Sequence, residues 1–496
     1  MINRRNFLRN IGMAGALVAA EPVVAAGVKA TTGSSSPLPL LVVKGSVLNK
    51  GKGLAGVAVT DGFTIVWTDT RGQYTLEAHP DARFVYISVP AGHAFPEEKG
   101  IAKFYQPLQR AKNTQQAVFE LEALSQTDLR HQFVLWADTQ MISAEDAQLL
   151  KTQSVPDLQA LLKTYPAGSL FHGIGCGDLV WDKFELFKDY KEAIGMTGIP
   201  FFSVIGNHDM DLTARGDDEA ADTYQEQLGP TYYSFNRGRI HYVVLDDVFY
   251  IGVDKKYIGY VTDRQLNWLE QDLKQVKPGS TVVVSLHIPT NTGVARRSGK
   301  EESMGGTVTN RKHLYKLLAP YKVHLLSGHT HFNESWEADN IMEHNHGTVC
   351  GAWWTGPVCS DGTPSGYGVY EVNGDDISWY YKSTGLDRSY QIKIHPRGAD
   401  KNYPDEIIAN VWNWDTKWKI EWWEDGAAKG AMTQFVGLDP QAVELYAGPE
   451  LPKKHRFVEP TLADHLFRAR PSAGAKEVKV MATDRFGNKY ESLIRL

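Results

Sequence analysis

Cysteine is almost absent from this chain. Its 496 residues include three, Cys176, Cys350 and Cys359, too few for a disulfide framework or a thiolate zinc cluster. Cys350 and Cys359 could pair in an oxidising compartment or stay reduced; the sequence leaves both open. Neither a Gly-x-Ser-x-Gly elbow nor a Gly-x-x-x-x-Gly-Lys-Ser/Thr loop occurs, so two common metal-free routes to hydrolysis or phosphate binding have no sequence support. Charge of one sign is also lacking. A formal net charge of -6 argues against non-specific nucleic-acid binding as the main activity. No repeat of solenoid length is present. The weakly apolar stretch over 11–26 is interrupted by Gly12, Gly15, Glu21 and Pro22, which makes it too short and broken for a stable membrane span.

What remains is a soluble composition, 42% hydrophobic and 22% charged, at a length that implies about two to four domains. The start, Asn3-Arg4-Arg5-Asn6-Phe7-Leu8-Arg9, followed by the apolar stretch and small residues at Val24 and Ala26, has the parts of an export signal. The paired arginines before Phe7-Leu8 resemble a twin-arginine signal, with an ordinary secretory signal or a frayed basic terminus as the plainer readings. We expect residues 1–36 to be signal and linker and the mature protein to be periplasmic.

Three textures follow. Over 37–125, short apolar runs such as Val57-Ala58-Val59, Tyr74-Thr75-Leu76 and Phe84-Val85-Tyr86-Ile87 are separated by Asp61-Gly62 and Arg71-Gly72 turns, which predicts a small β-sandwich. Its run from Gly45 to Leu76 resembles the carboxypeptidase-regulatory or transthyretin-like domain and carries no catalytic cluster. Over 126–372, strands alternate with amphipathic stretches, the signature of α/β layers. Asp182 is placed to cap a helix carrying Leu186, Phe187, Tyr190 and Ile194 and stopped by Gly195. Thr262 and Gln265 have capping-box spacing. Residues 373–496 turn β-like again.

Five polar blocks recur just past the apolar strands of the middle segment: Asp138-Thr139-Gln140, Gly177-Asp178, Gly206-Asn207-His208-Asp209, Ser285-Leu286-His287 and Gly328-His329-Thr330-His331. The carboxyl ends of strands are where ligands bind in such folds. A lone Asp there is more often a turn residue, and a lone His is usually structural. Five blocks in order are hard to obtain by chance. Carboxylate, amide and imidazole together suit Mn, Fe, Zn or Mg rather than copper or calcium. The preceding glycines are read as permitting the sharp turn from strand to loop.

This ordered set resembles the calcineurin-like metallophosphoesterase superfamily, and the flanking β segments resemble an exported bacterial subgroup of it. The resemblance implies a four-layer core, a double β-sandwich flanked by helices, between two small all-β domains. It implies two divalent metal ions: Asp138 and His331 on the first, Asp178 bridging, and Asn207, His287 and His329 on the second. It further implies hydrolysis of mono- or diesters by water activated between the ions, with His208 assisting the leaving group. Asp209 is placed to orient His208, or else to serve a fold-level contact. Gln140 departs from the usual histidine; its neutral amide makes the first ion site weaker or richer in oxygen. The partner expected is a phosphate ester, lipid- and sugar-linked ones included.

Several features are set aside on plainer readings. Arg296 and Arg297 could contact phosphate, but a mobile surface loop is the simpler account. Asp246-Asp247 closes the apolar run from Tyr242 to Leu245 and could touch the site, though a turn is the plainer reading, and Asp211, Asp217, Asp218 and Glu219 read as a solvated acidic run. Trp412, Trp414, Trp418, Trp422 and Trp423 could stack on sugars, yet their period of two favours a buried strand face. A glycan- or lipid-binding protein with a vestigial catalytic unit is the competing hypothesis.

Overall fold

Alternation along the central strands sets the architecture. In Arg130–Trp136, Phe133 and Leu135 point to one side of the sheet while Val134 and Trp136 point to the other, as a period of two requires. Both faces are buried, so both must be covered. The computed structural model describes residues 41–253 and 255–496; the export signal expected over 1–36 lies outside them.

Two sheets form the core. The first has seven strands, in the order Asp376–Ser383, Gly366–Asn373, Arg130–Trp136, Phe171–Cys176, Phe201–Val204, Ile101–Ala102 and Glu97–Glu98. The second has six: Tyr233–Arg237, Ile240–Val244, Thr281–Ser285, Lys322–Ser327, Ile341–Asn345 and Glu334–Ala338. The middle strands of each run parallel. The inner faces meet through aromatic residues. Phe202 stacks on Phe235 with centroids 3.7 Å apart, Phe235 on Tyr242 at 4.8 Å and Phe133 on Tyr370 at 4.5 Å. Helices cover the outer faces. Leu158, Phe187, Tyr190 and Ile194 pack against Val134 and Trp136, and Trp268, Leu269, Leu314 and Leu318 pack against Val282 and Val284. The order is therefore helix, sheet, sheet, helix.

On the amino-terminal side, Leu41–Asn49 pairs in parallel with Thr114–Leu121 and antiparallel with Gln73–Ala78, and a second four-stranded sheet faces it. On the carboxyl-terminal side, two four-stranded antiparallel sheets enclose Trp418, Ile420, Trp422, Val478 and Val480. The period-two reading of the tryptophans holds for Trp418, Ile420 and Trp422, which are buried where Lys419–Glu424 begins and runs, with Trp423 beside them half-buried. It fails for Trp412 and Trp414, which follow Ile407–Asn410 outside any strand, the first buried and the second half-buried. No helix among the described residues is long and apolar enough to cross a membrane.

Three local expectations need correcting, and the open question of the cysteines has an answer. The helix Phe187–Thr197 is entered through a 3-10 turn at Phe184–Leu186 and ends at Gly198, in the left-handed conformation, beyond Gly195. Asp182 does not cap it. Arg297 is not on a mobile loop: its side chain is buried and ion-paired with Glu334, with Asp464 at 3.5 Å. Asp217 is not simply solvated, because its carboxylate accepts from the Tyr250 N–H at 2.8 Å. Cys350 and Cys359 are buried and unbonded, both within reach of Thr348.

Candidate metal centre

Each expected ligand follows the end of a core strand by two to four residues, so both sheets aim their polar loops at one point. The loops are tightly wound there. Asp138, Gln140, Asp178, His329 and His331 all have positive φ, between 35° and 66°, a conformation L residues seldom adopt without compensation. Of the three glycines, Gly177 has a φ of 78° and makes the expected sharp turn, while Gly206 and Gly328 serve a different end. A Cβ on Gly206 would lie 2.1 Å from the Asp178 nitrogen, and one on Gly328 would lie 2.3 Å from Asp138 Oδ2. These positions need glycine for close approach, and neither needs it for φ.

Two sets of donor atoms converge. Asp178, His287 and His329 form one, and Asp138, Asp178 and His331 the other, with the atoms of each set within 4.8 Å of one another. Asp178 belongs to both. Its Oδ1 lies 3.3 Å from His287 Nε2, and Asp138 Oδ1 lies 3.3 Å from His331 Nε2. The imidazoles are turned for ligation. His287 Nδ1 donates to the Cys176 carbonyl at 3.0 Å and His329 Nε2 to the Gly305 carbonyl at 2.9 Å. Each then turns its other nitrogen into the cluster, where a metal ion would take the place of that nitrogen's proton, the usual orientation of a metal-binding histidine. Those two nitrogens, His329 Nδ1 and His287 Nε2, stand 3.3 Å apart.

Whether cations fit is answered by the polar atoms left over. The Asn207 Oδ1 and Gln140 Oε1 atoms are buried with no hydrogen-bond partner, a costly arrangement unless something else satisfies them. Hard oxygen and imidazole donors around a shared carboxylate are what two divalent ions require. Gln140 has a second task, since its Nε2 donates to Asp178 Oδ2 at 2.7 Å. The electrostatics agree with an anionic centre. Burial works to raise the Asp178 carboxyl, but the positive charges of His287 and His208 hold it below the usual carboxylate range. Burial opposes protonation of His287, yet Asp178 raises it to about 10.

His208 donates its backbone N–H to Asp178 Oδ1 at 2.9 Å and turns its ring outward. Its Nδ1 meets Asp182 Oδ1 at 2.9 Å. Burial lowers its proton affinity, but Asp178 and Asp182 outweigh that and raise it. Asp209 does not touch the ring. It is fully buried and accepts from the N–H groups of Leu179, Val180 and Gly206 at 2.9–3.0 Å, tying the loop of Asp178 to the loop of Asn207. Asp247 does similar work for His287. Its Oδ1 accepts from the His287 and Ile288 N–H groups at 3.1 and 3.2 Å, so Asp246-Asp247 is more than a turn. Asp182 is the carboxylate beside the site that sequence reasoning passed over, and for Asp247 the structure favours contact with the site over a plain turn. Four residues after Asp178, Asp182 carried a usable signal that was read as a helix cap.

Three family models match in order along the chain. They are the N terminal of calcineurin-like phosphoesterase over 41–124, calcineurin-like phosphoesterase over 133–333, and the C terminal of calcineurin-like phosphoesterase over 343–490. Among curated relatives, "Probable glycerophosphodiester phosphodiesterase GpdQ" of Arcobacter nitrofigilis is 25% identical over 154 residues, 30% of this chain and 51% of the relative. The chain thus spans about half the length of that relative. Among solved structures, a dimetal phosphatase from Danio rerio is 14% identical, covering 51% of this chain and 96% of its own, with a TM-score of 0.37. A purple acid phosphatase from yellow lupin is 13% identical, with coverage of 66% and 67% and a TM-score of 0.37.

Proposed function

Since the chain belongs to the calcineurin-like phosphoesterases, we propose that it hydrolyses phosphate esters at the cluster around Asp178. The observation that carries this reading is a single carboxylate shared by two convergent donor sets beside a histidine–carboxylate pair that binds neither. Asp138, His331 and Asp178, with Gln140 at the margin, would hold one divalent ion. Asp178, Asn207, His287 and His329 would hold the other. Two such ions supply Lewis acidity, polarising a phosphoryl oxygen and making water nucleophilic near neutral pH.

The protein's own groups do the rest. Asp209 and Asp247 hold the ligand loops in register through buried backbone N–H groups. Asp182 fixes the His208 ring and favours the proton on Nδ1, which leaves Nε2 to serve the departing oxygen. The hydrogen bond of His208 to Asp182 favours the protonated ring that a general acid requires.

The deciding experiment measures hydrolysis of p-nitrophenyl phosphate and bis-p-nitrophenyl phosphate after the protein is stripped and reloaded with Mn, Zn or Mg. Turnover that requires metal, vanishes with its binding in Asp178→Asn, and falls about 10²–10⁴-fold in His208→Ala with metal retained is the expected outcome. The preferred ester then distinguishes mono- from diesterase action, and the name of the Arcobacter relative is a reason to include a diester. Full metal loading with no turnover of either ester would count against the reading. We also propose a periplasmic site of action, supported by Arg4-Arg5 and the broken apolar stretch that follows. Changing both arginines to lysine should strand the protein in the cytoplasm.

A further inference from the structure

Beside the donor cluster stands a group of rings that the reaction above does not use. Trp181 lies edge-on to His208 with centroids 5.4 Å apart, and it stacks on His455 at 4.9 Å. Phe457 meets Trp181 at 6.0 Å and Trp353 at 5.4 Å, steeply inclined to both. Trp353 closes the other end, 4.3 Å from His331. The rings arch from the histidine that serves the leaving group to a ligand of the first ion. Three separate stretches of chain build the arch: the turn after Asp178, the loop after Ile341–Asn345, and the segment ahead of Ala463–Ala469.

Core packing accounts for Trp353, which packs against the small apolar cluster of Val358 and Tyr446, and not for the rest. Phe457 keeps 60% of its surface exposed although other rings surround it. It lines the same cavity, of about 270 Å³, as Asp178, His208 and His331. Trp353, Trp354 and His455 all have positive φ, 50°, 63° and 51°, which such side chains rarely adopt. The Trp354 indole donates to the Thr139 carbonyl at 2.9 Å, which ties this loop to the one carrying Asp138 and Gln140. The strained backbone of the ligand loops thus continues into the arch.

The place of the arch defines its occupant. A leaving group departs on the His208 side, so it lies against Phe457, which lines the cavity there, with Trp181 packed against that ring. Flat apolar faces and ring edges favour another flat ring, by offset stacking or edge contact. Ser360, Glu459 and Thr461 line the same cavity; a hydrocarbon tail would leave them unpaired, whereas a substituted ring can meet them. The volume suits one ring system rather than a long chain. We propose that this arch is the leaving-group subsite, selecting phosphate esters whose leaving group carries a planar aromatic ring, with Phe457 as its main determinant. The proposal rests on the hydrolase reading above. It also gives the carboxyl-terminal segment a task, since Phe457 and His455 come from it.

The test uses full-length, metal-loaded protein and two matched substrate pairs. Benzyl and cyclohexylmethyl phosphate have leaving alcohols of similar size and basicity; adenosine 5′-monophosphate and ribose 5-phosphate differ by the base. We expect kcat/KM to favour the ring-bearing member of at least one pair by about three- to tenfold. Phe457→Ala, an exposed position, should collapse that ratio toward one. Preference in the first pair identifies simple aryl esters, and preference in the second identifies nucleotides. No preference in the wild type, or a ratio unmoved by Phe457→Ala, overturns the proposal. A second readout does not depend on turnover: quenching of tryptophan fluorescence by benzylphosphonate against cyclohexylmethylphosphonate, neither of which can be hydrolysed. Selective binding of the former without turnover of any ester would sink the hydrolase reading and keep the subsite. Turnover with no selectivity in either readout would sink the subsite alone.

Discussion

Moving the orienting role from Asp209 to Asp182 has consequences that separate the two carboxylates. Asp209→Asn keeps one oxygen for the Leu179 and Val180 N–H groups and turns an NH2 toward the Gly206 N–H, which now donates to Asp209 Oδ2 at 2.9 Å. One buried donor is left unpaired and faces a second donor. An unsatisfied buried group costs about 1–3 kcal/mol, so the variant should denature earlier and lose metal more readily. Its burial, together with repulsion from Asp178, already raises the Asp209 carboxyl to about 7, and relief of that repulsion places the change toward the lower end of the range. Asp182 is different. Its side chain is 41% exposed and its partners are the His208 ring and, at 3.8 Å, the exposed Lys255, so Asp182→Ala should leave the denaturation midpoint almost unmoved and lower kcat by about tenfold, a part of the general-acid effect. A double-mutant cycle decides the matter. With His208 already changed to Ala, removing Asp182 should cost nothing further, because the two act as one unit. Asp209→Asn should still cost its full factor in that background. If Asp182→Ala multiplies with His208→Ala while Asp209→Asn does not, the reassignment is wrong.

Three further outcomes are expected. Burial lowers His131 to about 4 and His346 to about 3. The unfolded chain takes up these protons first, so stability is full above about pH 6.5 and falls as pH drops toward 4, by up to about 3 kcal/mol for His131; an acid denaturation series with His131→Gln should show a shallower decline. Gln140→His should hold metal more tightly, seen as slower loss to a chelator, although it removes the amide bond to Asp178. Arg297→Met should destabilise by about 3–5 kcal/mol, because it leaves Glu334 buried without its cation, and it should loosen the carboxyl-terminal segment in limited proteolysis through the lost approach to Asp464.

The donor set was legible because its signal is local. Each ligand follows an apolar strand within a few residues, and strand ends converge in layered α/β folds whatever their loops do. Sheet and helix assignments were legible for the same reason, as at Thr262, whose hydroxyl accepts from the Gln265 N–H. What was missed depends on distance in sequence. Nothing near Asp247 announces that His287, 40 residues later, will donate to it. Arg297 looked mobile because its neighbours are glycine and polar residues, while Glu334 and Asp464, which bury it, lie far along the chain. Adjacency to His208 suggests an orienting role for Asp209, but of the two readings the sequence allows the fold-level contact is the one observed. Neighbours in a 3-10 turn, as Asn207–Asp209 is, point apart, and the aspartate four residues after Asp178 reached the ring instead.

The short strands Glu97–Glu98 and Ile101–Ala102 lie in sequence within the amino-terminal β segment but are the last two strands of the seven-stranded sheet, where Ile101 pairs with Phe201. Without them, Phe201–Val204, the strand that leads to Asn207, would be an open apolar edge available to another chain. A protein shortened to begin near residue 126 should therefore self-associate, and fusing a soluble partner to it would leave that edge bare. Synthesis order provides its own protection. Residues 97–102 leave the ribosome about a hundred residues ahead of the strand they shield, so that edge can be covered as it appears, whereas the opposite edge, Arg130–Trp136, waits for Gly366–Asn373.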